Sequence, residues 1–154
     1  MDNFSDRTFF VTSVTWERRP VLRSEHAAKL FLDTLFSYRD RGFFQLYEFV
    51  VMPDHIHLML APKATLALER VMQFIKDGYS HRYGKETGSR IEIWERSFTN
   101  HRIRDERDYE THRDYIHLNP VRARLVESPA DCPYTSAHEG FSLDTAPQQL
   151  KPVA

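Results

Sequence analysis

Apolar residues recur along the chain in two patterns, and each pattern predicts a different kind of element. Residues 7–16 are rich in β-branched and aromatic side chains, which predicts a first strand that ends before Pro20, because proline cannot donate to a strand ladder. From Ser24 onward the apolar positions follow helical spacing, which predicts a helix with Ser24 as its N-cap and Gly42 just past its end. This part of the chain is therefore predicted to be a strand followed by a helix.

Two further apolar stretches are separated by a very short connection. Residues 43–52 form one predicted strand, and residues 55–62, with the sequence HIHLMLAP, form the next. Only Pro53 and Asp54 lie between them, and so short a connection predicts a β-hairpin. The second arm of this hairpin begins with His55.

The second half of the chain has a strand pattern between two helical patterns. A helix is predicted over residues 65–83, and the alternation in residues 91–98 predicts a fourth strand. An acidic start predicts a last helix from about Asp105. Pro120 is expected to end or kink that helix, because the residue before a proline avoids helical backbone angles. Little periodicity follows Pro133, where we expect an irregular extension.

The order strand, helix, strand, strand, helix, strand is the βαββαβ pattern of a ferredoxin-like fold. We therefore expect an α+β protein with an antiparallel sheet, helices on one face of it and an additional C-terminal helix. At 154 residues the chain is expected to form one domain over residues 1–136, followed by an irregular tail over residues 137–154. A ferredoxin-like fold hosts many functions, so it does not by itself predict one.

The composition is that of an ordinary soluble globular protein. Hydrophobic residues make up 41% and charged residues 28% of the chain. No apolar run approaches the roughly 18 residues of a membrane helix, and the first residues lack the basic-then-apolar pattern of a signal peptide. A lone cysteine, Cys132, cannot form an internal disulfide, which fits a reducing compartment. We expect a cytoplasmic protein with no membrane partner.

The balance of charge limits the ways in which the protein could bind a polyanion. A formal net charge of −1 argues against general binding of phosphates, which depends on clustered lysine and arginine. Arginine is nevertheless concentrated in residues 96–124, where acidic residues are interleaved with it. Two interpretations stay open: a solvated helix carrying ion pairs, or a local basic surface on a nearly neutral chain.

Two histidines stand at alternate positions of the predicted third strand. Because alternate residues of a strand face the same side, His55 and His57 are expected to lie side by side in an otherwise apolar strand. Such a pair is a frequent way to hold a divalent metal ion. The alternative is two histidines with ordinary structural contacts. A metal site would also need a third ligand, usually oxygen or nitrogen.

A tyrosine and an asparagine in the last predicted helix are candidates for further chemistry. Tyr115 and Asn119 are four residues apart, so they lie on one helix face about one turn apart. A tyrosine hydroxyl can act as a covalent nucleophile near a cation, and an amide oxygen can bind that cation. The structural alternatives are a core tyrosine at Tyr115, and an N-cap at Asn119 with Pro120 opening a new helix.

Together these motifs resemble those of the HUH tyrosine transposases of single-strand insertion sequences, and most of all the REP-associated tyrosine transposases. The resemblance rests on four stretches in this order: MPDHIHLML, IWERSFTNHRIRD, YIHLNPVRARLV and PYTSAH. It covers residues 7–138 and agrees with the βαββαβ pattern. One departure is Arg124, which stands where many members of the family have glycine.

The resemblance implies a metal-dependent enzyme that acts on single-stranded DNA. His55 and His57 would correspond to the HUH histidines, and Asn119 to the third ligand of an Mg²⁺ or Mn²⁺ ion. Tyr115 would correspond to the nucleophile that forms a 5′-phosphotyrosine intermediate. The implied function is cleavage and rejoining of DNA near hairpin, REP-like elements. The alternative is a domesticated module that binds DNA hairpins without cutting them.

We assign recognition of DNA to a few side chains rather than to the overall charge. The candidate ligands of phosphates or guanines are Arg18 and Arg19 after the first strand, and Arg102 and Arg104 before the last helix. The aromatic candidates for stacking on bases, which could instead belong to the core, are Trp16 and Trp94. The active site could be assembled within a monomer or shared across a homodimer.

Overall fold

A computed structural model describes residues 4–147 and 150, which fold into strands and helices in the predicted order. The elements are β1 (Phe9–Val14), α1 (Glu25–Asp40), β2 (Phe44–Met52), β3 (His55–Pro62), α2 (Leu68–Thr87), β4 (Thr99–Arg102) and α3 (Glu106–Arg122). The strands form an antiparallel sheet in the order β2–β3–β1–β4. This arrangement confirms the expected α+β class with a ferredoxin-like βαββαβ sheet.

The two faces of the sheet are covered by different helices. On one face, α1 and α2 pack over a large core that includes Ile56 and Leu58. On the other face, α3 packs over a smaller cluster that includes Met59. Because side chains alternate along a strand, His55 and His57 lie on the same face as Met59, beneath α3.

The predicted hairpin is confirmed, and it contains one irregularity. β2 and β3 pair along their length, but the register shifts between Leu46 and Glu48, so Tyr47 forms a bulge. Tyr47 packs in the cluster under α3, and Glu48 contacts His117 of α3. The bulge therefore turns two consecutive residues of β2 toward the same helix.

The fourth strand lies later in the chain than predicted. The sequence predicted it at residues 91–98, whereas β4 runs over Thr99–Arg102 and pairs with β1. Ile93 and Trp94 are instead buried in the core under α1 and α2, and Trp94 forms an isolated bridge to Thr15. Alternating apolar residues indicate that one side of a segment is buried, not that it pairs in a sheet, which explains the error.

The ends of the first two helices follow local capping groups. Ser24 caps α1 as predicted, since its side chain accepts a backbone N–H at 3.1 Å, and Gly42 follows the helix with a φ of 84°. α2 is displaced from the predicted residues 65–83 to Leu68–Thr87, and it ends at Gly88 in the left-handed conformation. Of the helices in residues 4–147 and 150, none combines the length and the apolar character needed to span a membrane.

Pro120 does not end the last helix at the predicted point. α3 continues through Pro120 to Arg122, and the proline itself is buried. Pro120 lies in the last turn of the helix. Burial of its ring there offsets the free-energy cost of the one backbone hydrogen bond that a proline cannot donate. Asn119 is therefore an interior residue of α3, and the alternative of an N-cap opening a new helix is wrong.

The C-terminal tail is irregular but attached. Its described residues 137–147 contain no helix or strand. Asp144 nevertheless accepts a hydrogen bond from Leu46 N of β2 at 2.8 Å and forms an ion pair with Arg39 of α1 at 3.0 Å. The domain boundary predicted at residue 136 stays a prediction. The rest of the predicted tail, residues 148–149 and 151–154, lies outside the described residues.

Candidate active site

The two histidines of β3 lie side by side beneath α3. Their ring centroids are 4.8 Å apart. His55 is partly exposed at the start of the strand, whereas His57 is buried, with 4% of its surface exposed. The structure thus brings the two imidazoles together, as the alternation of side chains along a strand predicts.

Each imidazole is oriented through its Nδ1 atom. His57 Nδ1 lies 2.8 Å from the hydroxyl oxygen of Thr12, the residue directly opposite it on β1. His55 Nδ1 donates to Asp54 Oδ1 at 2.7 Å. With both Nδ1 atoms engaged, both Nε2 atoms are left for other partners, which is the usual arrangement of metal-binding histidines.

The Nε2 atom of His57 has no hydrogen-bond partner among the residues that the structure describes. It is fully buried, and nothing within residues 4–147 and 150 forms a hydrogen bond with it. Burial and, to a lesser degree, repulsion from His55 lower the pKa of His57 to about 3. The ring is therefore neutral at neutral pH. In the tautomer whose Nδ1–H donates to the Thr12 hydroxyl oxygen, Nε2 keeps a lone pair that can bind a cation.

Asn119 of α3 approaches the pair from above the sheet. Its Oδ1 lies 3.3 Å from His55 Nε2. The Asp54 carboxylate can only accept, so a neutral His55 carries its proton on Nδ1 and turns the lone pair of Nε2 toward the amide oxygen. Two acceptors at this distance repel each other unless positive charge lies between them. A metal ion bound by both atoms would supply that charge.

Tyr115 lies one turn before Asn119 on α3 and borders the same site. Its ring centroid is 5.3 Å from that of His57, and the guanidinium carbon of Arg122 is 5.9 Å from its ring centre. Tyr115 is 40% exposed, so the alternative of a core tyrosine is wrong. The ring is both next to a candidate metal ligand and open to a large substrate.

The candidate DNA-binding arginines fall into two groups. Arg18 borders the site, because it pairs with Asp54 at 3.5 Å and shares with His55 a cleft of about 450 Å³. Arg19 pairs with the neighbouring Glu17 at 3.1 Å. Arg102 is the last residue of the edge strand β4, which lies on the other side of β1 from the histidine strand, and Arg104 follows two residues later.

The two candidate tryptophans differ in their surroundings. Trp94 is buried and packs against Phe31 and Tyr79, so it belongs to the core and cannot stack on a base. Trp16 lies in a short 3₁₀ turn after β1 and is half-buried. Stacking of a base on Trp16 stays a prediction.

Sequence reasoning missed the residues that orient the candidate catalytic groups. Thr12 gave no signal along the chain, because it meets His57 only through the pairing of β1 with β3. Asp54 could have been suspected, since it directly precedes His55. Glu48 was also missed. Its carboxylate accepts hydrogen bonds from His117 Nε2 at 2.7 Å and from the Ser136 hydroxyl at 2.8 Å.

A second group of side chains could hold a metal ion. One ligand atom each from His101, Asp108 and His112 lies within 4.8 Å of the others. This group is distinct from the predicted set, and the ring of Phe10 lies between the two, 4.7 Å from His112 and 5.2 Å from His57. The sequence pattern placed these histidines only in an arginine-rich segment.

Residues 4–119 match a protein family described as "Transposase IS200 like". A REP-associated tyrosine transposase of Escherichia coli (strain K12) is 31% identical over 110 residues. A Haemophilus influenzae protein provisionally given the same name is 31% identical over 115 residues. The two matches cover 71% and 68% of this chain, but only 63% and 65% of the respective relatives.

Solved structures share the fold. The structure of a REP-associated tyrosine transposase bound to a REP hairpin has a TM-score of 0.72 at 21% identity, over 97% of this chain and 93% of that one. A crystal structure of a Deinococcus radiodurans protein provisionally described as a transposase has a TM-score of 0.56 at 19% identity, over 71% and 87% of the two chains. At such identities the likeness establishes the fold and not the activity.

Proposed function

This chain belongs to the family of IS200-like transposases, and we propose that it is a metal-dependent single-strand DNA endonuclease and strand transferase that acts beside DNA hairpins. Its similarity to REP-associated tyrosine transposases, first drawn from the motifs, is confirmed by the two curated relatives. The activity, the substrate and the metal are the proposal. One observation carries it: Tyr115 and Asn119 of α3 meet the imidazoles of β3 on one face of the sheet.

The residues fit a divalent metal ion held by His55, His57 and Asn119. His57 Nε2 is buried without a partner among the described residues, and His55 Nε2 faces the amide oxygen of Asn119. All three candidate ligands are neutral, so they would leave the charge of a cation available to a phosphate. When bound, Mg²⁺ or Mn²⁺ supplies positive charge that polarises the scissile phosphate and stabilises the departing 3′ oxygen.

Tyr115 supplies the nucleophile in this proposal. Its phenolic oxygen forms a bond to phosphorus while the bond from phosphorus to the 3′ oxygen breaks. The phenol proton passes to solvent and the 3′ oxygen takes up a proton, which leaves a 5′-phosphotyrosine and a free 3′-hydroxyl. One phosphodiester has replaced another, so an incoming 3′-hydroxyl can reverse the step and join strands without an external energy source.

A hairpin with a single-stranded flank is the proposed substrate. The solved relative is bound to a REP hairpin, and this chain shares its fold. Arg18 and the cleft beside His55 would receive the single strand next to the scissile phosphate. The net charge of −1 predicts that binding depends on a few arginine contacts, with moderate sensitivity to salt.

The proposal is tested by trapping the covalent intermediate. The wild-type protein, incubated with Mn²⁺ and a labelled hairpin carrying a single-stranded flank, should form a protein–DNA adduct on denaturing gels. Tyr115→Phe should form none, because phenylalanine has no oxygen to attack phosphorus. This variant should still bind the hairpin, and its free energy of unfolding should change by about 1 kcal/mol or less, since the hydroxyl is at a partly exposed ring.

The matched control is Tyr83→Phe, which removes a hydroxyl from α2 on the opposite face of the sheet and should leave the adduct intact. An adduct that forms with the Tyr115→Phe protein would contradict the assignment of the nucleophile. Tight hairpin binding by the wild-type protein without any adduct would instead favour the alternative, a hairpin-binding module without cleavage.

A further inference from the structure

We propose that His101, Asp108 and His112 form a second metal site, which takes a transition-metal ion of the zinc class and ties β4 to the first turns of α3. The proposed cleavage site does not use these residues. The inference therefore stands or fails independently of the proposed function.

The three side chains come from two elements. His101 lies on β4, whereas Asp108 and His112 lie one turn apart on α3. His101 Nε2 is 2.7 Å from Asp108 Oδ2, and His112 Nδ1 is 3.1 Å from Asp108 Oδ1. An ion bound here would cross-link the edge strand to the helix that carries Tyr115.

The donor set indicates the class of ion. Two imidazole nitrogens and a carboxylate oxygen suit zinc and its neighbours, whereas Mg²⁺ and Ca²⁺ prefer oxygen ligands. Asp108 adds a negative charge that the set of His55, His57 and Asn119 lacks. The site at Asp108 is therefore expected to bind a free transition-metal ion more tightly than the histidine pair of β3.

The Asp108 carboxylate is buried and ready to act as a ligand. Its side chain is 7% exposed and accepts a hydrogen bond from Arg104 N at 2.8 Å. Burial raises the pKa of Asp108, but the hydrogen bonds from Arg104 N and His101, with the nearby His112, hold it below its ordinary value. The carboxylate is therefore ionised at neutral pH, and the Arg104 N–H orients it as an outer contact orients a metal ligand.

The existing contacts are close to those of a coordination shell. Ligand atoms of a tetrahedral zinc site with bonds of about 2.0 Å lie about 3.3 Å apart. The imidazole-to-carboxylate distances are 2.7 Å to Asp108 Oδ2 and 3.1 Å to Asp108 Oδ1, so an ion would either bind both oxygens or draw the carboxylate so that one oxygen faces both imidazoles. Closing the gap between the two imidazoles, whose stacked ring centroids are 4.7 Å apart, requires rotation of the rings.

An ion can enter the site from solvent, and two existing contacts of the ligand residues would have to break when it binds. The His101 side chain is 39% exposed, so the site is open on the β4 side and leaves room for water as a fourth ligand. Arg104 Nε lies 3.5 Å from Asp108 Oδ2, and this exposed guanidinium would move away. His112 Nδ1 also lies 2.8 Å from Asp108 O, and that contact would be exchanged for the metal.

The proposal is tested by zinc titration of the full-length protein without DNA. A His55→Ala, His57→Ala double variant should still bind one equivalent of Zn²⁺ in a calorimetric titration. Bound Co²⁺ should give the visible absorption of a four-coordinate site. Adding His101→Gln and His112→Gln should abolish both signals, while Asp108 and its contact with Arg104 N are kept.

Thermal unfolding provides a second readout of the same site. Zn²⁺ should raise the unfolding midpoint of the His55→Ala, His57→Ala protein and leave that of the quadruple variant unchanged. If the quadruple variant does not fold, His101→Gln added alone should still weaken Zn²⁺ binding about tenfold or more, as loss of one ligand contact requires. The proposal is overturned if the double variant binds no Zn²⁺, or if replacing His101 and His112 leaves binding unchanged.

Discussion

Single residues show how small groups orient the candidate catalytic side chains. The hydroxyl of Thr12 is the group that meets His57 Nδ1, and it comes from the strand next to the histidine strand. Rotation of the ring would turn Nε2 away from the site that it shares with Asn119. The hydroxyl thus fixes the orientation of the ring and with it the direction in which Nε2 points.

Replacing Thr12 by valine should weaken metal binding while keeping the shape of the strand. The hydrogen bond to His57 is lost, so the Mn²⁺ concentration that gives half-maximal cleavage should rise about 10–100-fold. Thr12→Ser, which keeps the hydroxyl, is the matched control and should behave like the wild-type protein. An unchanged Mn²⁺ requirement in Thr12→Val would show that the ring needs no such support.

The backbone at Arg124 has a conformation that glycine adopts more easily than arginine does. Its φ is 60°, in the left-handed region that favours glycine. The glycine that the family resemblance implies at this position would adopt this conformation without strain. The chain tolerates arginine there at a cost in backbone energy, because the side chain is exposed and meets no steric barrier from the core.

Arg124→Gly should therefore leave the free energy of unfolding unchanged or raise it by up to about 1 kcal/mol. Glycine removes the strain of the left-handed conformation, but it also increases the entropy of the unfolded chain, which offsets part of the gain. Ala123→Gly is the matched control. Ala123 has a φ of −80°, so glycine should lower the free energy of unfolding there by about 0.5–1 kcal/mol. Urea unfolding of both variants measures the difference, and equal losses in the two would contradict the explanation.

At the scale of elements, the position of α3 decides whether Tyr115 and Asn119 reach the histidines. α3 is held against β2 by apolar packing of Ile116 and by the hydrogen bond from His117 to Glu48. Glu48 faces α3 because of the bulge at Tyr47. A feature of strand pairing thus controls where a helix places its functional side chains.

Glu48→Leu tests this anchor, because leucine has no atom that can accept a hydrogen bond. The largely buried carboxylate also accepts from Ser136, so the free energy of unfolding should fall by about 1.5–3 kcal/mol. Cleavage should fall as well, because α3 loses a polar contact that fixes its position over the sheet. Glu110→Leu on the exposed face of α3 is the control and should leave both quantities unchanged. Normal cleavage by Glu48→Leu would show that apolar packing alone positions the helix.

At the scale of the whole molecule, one face of the sheet carries most of the hydrophobic core and the other face carries the candidate functional residues. The core under α1 and α2 contains most of the large buried side chains, whereas the α3 face carries both groups that could hold a metal ion. All candidate catalytic residues also come together within one chain. A monomer is therefore expected to suffice for cleavage.

Mixing two inactive variants tests that expectation. Tyr115→Phe lacks the nucleophile and His57→Ala lacks a proposed metal ligand, so each should be inactive alone. If the site is formed within one chain, an equal mixture should show no adduct and no cleavage. Mixtures of each variant with wild-type protein are the control and should keep activity in proportion to the wild-type fraction. Recovered cleavage in the mixture of variants would show that α3 is exchanged between two chains.

Local geometry explains what the sequence by itself determined. Side chains alternate along every strand, so His55 and His57 had to share a face once the strand was recognised. Helical spacing likewise placed Tyr115 and Asn119 together, and the short connection predicted the hairpin. Only the resemblance to a family connected these two pairs, since no local rule relates residues sixty positions apart.

Tertiary structure decided every contact that depends on register or docking. Thr12 meets His57 through strand pairing, Glu48 meets His117 through a bulge, and β4 pairs at Thr99–Arg102 instead of residues 91–98. The meeting of His101 with Asp108 follows from that displaced strand. Apolar patterns specify which side of a segment is buried. Which other segment it pairs with depends on the free energy of the whole packed arrangement, so a local pattern cannot determine the pairing.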